Sequence, residues 1–150
     1  MINSRLLTKI VCFLTISLAC SPASASLKQM GLDYRSLLSN HVMLSDIKKR
    51  CADIQMPEVA SKPSVEIMMQ QKVGIEAFAN LMINIQRSDL EASALATIEK
   101  LFTQIDGCED PRLQAALGRI AAVHSEAYQR LKAEPALVKP QNVPVPMRRN

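Results

Sequence analysis

Apolar residues recur at steps of three and four along most of the chain from Asp33 to Leu131, and nowhere does a strand-like alternation persist. A chain patterned this way has one economical solution: helices that each bury one stripe against their neighbours. Four stretches carry the pattern. The first runs from about Asp33, a candidate N-cap, to Ile54, with Leu37, Leu38, Leu44, Ile47, Cys51 and Ile54 on its apolar side. Breaks follow at Met56-Pro57 and Lys62-Pro63. The second, Ser64 to Gln86, sets Val65, Met68, Met69, Phe78, Leu81, Met82 and Ile85 on one broad face.

The third stretch opens on Ser88-Asp89-Leu90-Glu91, which reads as a capping box, and continues through Leu95, Ile98, Leu101, Phe102 and Ile105 to Gly107 as C-terminal cap. The fourth starts with Asp110 as N-cap and Pro111 at the first helical position, then places Leu113, Leu117, Ile120, Val123, Ala127 and Leu131 at helical spacing. No Asn-Gly hairpin turn and no internal repeat occurs. The expected fold is therefore all-α, an up-down antiparallel four-helix bundle. The short Gln86–Ser88 link is expected to make the second and third helices antiparallel neighbours.

The N-terminus has the order of a secretory signal. Arg5 and Lys9 precede an apolar run from Ile10 to Ala19, and Pro22, Ala23 and Ala25 form a small-x-small cleavage pattern. Residues 1–25 are expected to be removed, leaving a mature chain without a transmembrane span, because the run is far shorter than the roughly 20 residues a spanning helix needs. The rival reading, a lipoprotein anchored at Cys20, fits less well: Ser17 stands where a large aliphatic residue is usual, and bulky Leu18 where a smaller one is preferred.

Cys12 and Cys20 leave with the signal, so the mature chain keeps Cys51 and Cys108. A cysteine pair in an exported domain is expected to form a disulfide. In an up-down bundle the first and third helices end at one pole, which brings the two cysteines together. A redox pair is disfavoured, since no C-x-x-C is present.

Residues 26–134, the expected helical domain, hold 13 Lys and Arg against 14 Asp and Glu, so the pI of about 9.0 reflects the two ends of the chain. A balanced fold with aromatics at 3% lacks the concentrated basic face that nucleic acid requires. The run Lys48-Lys49-Arg50 reads as a solvated helix end favoured by the helix dipole. Residues 135–150 differ in kind: a basic, Pro-rich tail containing Val143-Pro144-Val145-Pro146-Met147-Arg148-Arg149, expected to stay apart from the helices.

No catalytic signature appears: no H-E-x-x-H, paired cysteine ligands, P-loop, dinucleotide fingerprint or nucleophile elbow. His41 and His124 are the only histidines, and each reads first as a partly buried, hydrogen-bonded side chain. With Met30 and Met43 they are the conceivable ligands of a haem- or copper-binding bundle, although no C-x-x-C-H is present. A small exported helical enzyme is the other alternative, with Glu76, Glu126, Arg35 and Arg119 as the groups to inspect. No cofactor is expected, and methionine has an ordinary task as adaptable core filler.

The reading that remains is an exported, periplasmic interaction protein whose partner is another envelope protein: an accessory subunit of a secretion or conjugation machine, or an inhibitor or immunity-type binder. Self-association is the second partner class. Candidate contact residues are Met68, Met69 and Met82 on the second stretch, and Pro144, Pro146, Arg148 and Arg149 in the tail.

Overall fold

The computed structural model describes the backbone of residues 22–139 and the side chains of residues 26–139. Among them are five helices and no strand: α1 (Pro22–Arg50), α2 (Lys62–Val73), α3 (Ile75–Gln86), α4 (Leu90–Phe102) and α5 (Pro111–Ala133). Most of the expected signal and residues 140–150 of the tail lie outside the described residues.

The all-α expectation holds, but the helices are not divided as the periodicity suggests. α1 begins well before Asp33, because no breaker interrupts the Met30–Tyr34–Leu37 stripe, whose three side chains are fully buried. Asp33 is therefore no cap. Its buried carboxylate accepts from Arg130 Nη2 at 2.8 Å and Nε at 3.0 Å, tying α1 to α5. At the other end of α1, Lys48 Nζ donates to the Ala52 carbonyl at 2.5 Å and the Ile54 carbonyl at 3.3 Å, tying the turn that follows back to the helix end.

The second stretch is broken in two. Gly74, at φ 84°, sits in backbone space closed to most residues, and its N–H still caps α2 on the Gln70 carbonyl. α2 and α3 thus replace one long helix, and α3 and α4 are not a closely packed pair despite their short link. The cause lies in which core each serves: α3 buries Phe78 and Ile85 in one apolar cluster, α4 buries Ile98 in another. The expected capping box does not form either. The Ser88 hydroxyl donates to the Ile85 carbonyl at 2.6 Å, finishing α3, and α4 starts from Asp89 without a side-chain cap bond. α4 then ends at Phe102, and Gly107, at φ 113°, serves the connecting turn and not the helix end.

The start of α5 is as read. The Asp110 carboxylate accepts from the Arg112 N–H at 2.8 Å, and Pro111 occupies the first turn. Cys51 and Cys108 stand at bonding distance with Cα atoms 5.7 Å apart, at the pole where α1 ends and the α4–α5 turn passes. Nearby, Arg50 pairs with Asp46 and Glu99 at 2.8 Å each and lies 4.9 Å from the centre of the Phe102 ring.

α1 is the central element, packed most extensively against α5 and α4 and less against α2. Its buried face divides the interior into two clusters. Met30, Tyr34, Leu37 and Leu38 join α2, α3 and the end of α5; Leu44, Ile47 and Cys51 join α4 and the start of α5. The first part of the tail does not stand apart. The Leu137 N–H donates to the Lys72 carbonyl at 2.7 Å, Val138 packs on Gly74, and the Lys72 ammonium is held by the carbonyls of Lys132 and Glu134.

Candidate functional site

Between the two clusters α1 carries Asn40 and His41, and α5 carries His124, so a buried polar layer crosses the interior. The imidazoles meet edge to face, with ring centres 4.9 Å apart and planes at 81°. Asn40 Nδ2 has no hydrogen-bond partner among the described residues, and the imidazoles have the Ala60 carbonyl as a neighbouring acceptor without a well-formed hydrogen bond. An unsatisfied buried donor costs about 1–3 kcal/mol, so this layer weakens the core it interrupts.

Both histidines are held below their ordinary pKa. For His41 burial acts first and the Lys62 charge second; for His124 burial acts first and His41 second. The Ala60 carbonyl pulls both values back, and Glu66 does so for His41. The pair is therefore neutral in the native state at neutral pH. Burial, with Glu66 behind it, pushes the Tyr34 phenol far above its usual value, and its hydroxyl donates to Met82 Sδ at 3.2 Å. It is a packed, protonated group and not a base.

Beside the polar layer lies a groove. α4 and α5 both flank α1 but approach each other far less closely than either approaches α1. The space left between them is a cavity of about 330 Å³. Its floor includes Asn40 and Met43 of α1; Thr97, Ile98 and Leu101 of α4 form one wall. Ala116, Arg119, Ile120 and Val123 form the other, at the three- and four-residue steps that place them along one side of α5. The lining is apolar apart from Thr97, Asn40 and Arg119. Arg119 is its only charge and makes no ion pair among the described residues. Val123 stands 47% exposed on the rim. Asn40, only 4% exposed, lines the same cavity, with its amide nitrogen buried.

The sequence-derived candidates scatter around this site. Met69 is fully buried in the first cluster, and Met68 and Met82 pack half-buried against it. Pro144, Pro146, Arg148 and Arg149 lie outside the described residues. The histidines do come together, but Met30 belongs to the first cluster and Met43 lines the groove, and no group of three or more His, Cys, Asp or Glu stands together to hold a metal among the described residues. Arg119 and Glu76 occupy different cavities, Glu76 lying at the α2–α3 break beside Val138, and Glu126 is exposed. Asn40 belongs to no sequence motif. Its signal was its place on the inward face between Leu37 and Leu44, where a polar residue must be paired or leave a bond unmade. Compared with known proteins, the chain matches no family model, no curated protein and no solved structure.

Proposed function

We propose that this chain is an exported helical protein of the cell envelope, stapled by a Cys51–Cys108 disulfide, that works by seating a helix of a protein partner in the groove between α4 and α5. The observation that carries this reading is the groove itself: a two-turn apolar trench floored by α1, with bulky Val123 exposed on its rim. A continuous apolar trench between two helices has the shape that accepts an amphipathic helix through anchors at three- and four-residue steps. Export is supported by the charged start, short apolar run and Ala-x-Ala site of residues 1–25, and by cysteines at bonding distance, which suit an oxidising compartment. A periplasmic location and loss of residues 1–25 belong to this proposal, as does the absence of catalysis.

The test is a photo-crosslinking amino acid placed at Val123 of the full chain in cells that export it, with the adduct weighed by mass spectrometry. The expected product is a polypeptide adduct that disappears when Ala116→Phe fills the groove. An adduct of small-molecule mass, or a polypeptide adduct indifferent to Ala116→Phe, would overturn the reading.

A further inference from the structure

We infer that the helix seated in the groove is α3 of a second copy of this chain, an inference that rests on the groove being a helix seat. α3 is anchored on one side only. Phe78 and Ile85 enter the first cluster, while Ile75, Ala79 and Ile83 form an outward stripe at four-residue steps. Ile75 is 59% and Ile83 43% exposed, both large aliphatic side chains in contact with water. A helix rises 1.5 Å per residue, so the stripe is about 12 Å long and the α5 wall from Ala116 to Val123 about 10.5 Å. The lengths match.

The charges match as well. Glu76, at the start of the stripe, is the only charged residue of α3, is exposed, and forms no ion pair among the described residues. Arg119 is the only charge lining the groove and is likewise unpaired there. No acid lines the groove and no base lies on α3, so docking brings one opposite pair together and no like pair. The other strongly exposed aliphatic residues are single positions, such as Leu32 and Ile67, apart from Val123 on the groove rim itself. Each copy holds both halves of the contact, so association closes reciprocally into a dimer or runs head to tail.

Sedimentation of the exported, processed chain over a range of concentrations tests this. The expected result is a mass above the monomer that grows with concentration. Glu76→Arg and Arg119→Glu should each weaken association by about tenfold or more, since each sets like charges in contact. Mixing the two variants restores both contacts, because the reversed groove then meets the reversed helix and the native groove meets the native helix. Recovery on mixing also shows that both variants are folded. Ile83→Asp should abolish association while circular dichroism stays helical. A chain that remains monomeric, or association untouched by Arg119→Glu, overturns the inference. If the chain stays monomeric while Val123 crosslinks to a different polypeptide, the groove is still a helix seat and only α3 is wrong as occupant. If Val123 yields no polypeptide adduct at all, both readings fall.

Discussion

The two halves of the interior are closed by different means. At the Cys51–Cys108 pole, α1, α4 and the start of α5 are held by the cysteine pair and by Arg50 reaching Glu99, yet α4 and α5 leave a groove between them. At the other pole two short helices fill the corresponding space, and the closure is non-covalent: Asp33 with Arg130, Lys72 on the end of α5, and Leu137 returning to α2. The half whose cysteines stand at bonding distance is the half left open. A crosslink lowers the entropy of the unfolded chain whether or not the native packing is complete, so it would stabilise this half despite the space left between α4 and α5.

The comparison can be broken from its strongest side first. Cys108→Ser opens a loop of 57 residues and should cost about 4 kcal/mol by the chain-entropy argument. Denaturant unfolding checks this; a loss under about 1 kcal/mol would mean that the pole is held by its packing. Arg130→Met leaves the buried Asp33 carboxylate without its cation and should destabilise the reverse pole, by less than the cysteine change because Arg130 is half exposed to solvent. If the two substitutions unfold different parts of the chain, hydrogen exchange will show two protected units separated at the polar layer; uniform loss would show one cooperative core.

The polar layer predicts a pH effect. Both histidine values are lowered in the native state, so the unfolded chain binds more protons once pH falls through its ordinary histidine value of about 6.5. Stability is complete above that value and declines below it, until the lowered native values are reached. The melting temperature should hold above the ordinary histidine value of about 6.5 and fall as pH drops below it, and His124→Leu should remove much of the fall. An unchanged acid slope in that variant would exclude the pair as its source. The smallest effect expected is Asn40→Leu, a gain of about 1 kcal/mol from deleting an unpaired amide.

Legibility followed the range of the interaction. Asp110 and Pro111 were readable because a cap and a first-turn proline act within four residues, and the structure places both as expected. Ser88 departs from its capping-box pattern for a neighbouring reason: its hydroxyl has two local uses, and closing α3 on Ile85 takes precedence over opening α4. Gly74 lay inside an unbroken apolar pattern, so periodicity passed over the break. The core stripe of α1 was visible at Leu37, Leu44 and Ile47, whereas Asp33 looked like a cap because its partner, Arg130, is far away in sequence.

By itself the sequence determined the helical class, the start of α5, the approach of the two cysteines and the charge balance of residues 26–134, because periodicity, capping chemistry and charge are local sums over neighbouring residues. The tertiary structure decided that α2 and α3 are separate, that Asn40, His41 and His124 share one layer, and that α4 and α5 leave a groove containing Arg119. Those features depend on which helix sides meet across the chain, and side-chain volume and burial set that choice only once α1 is surrounded.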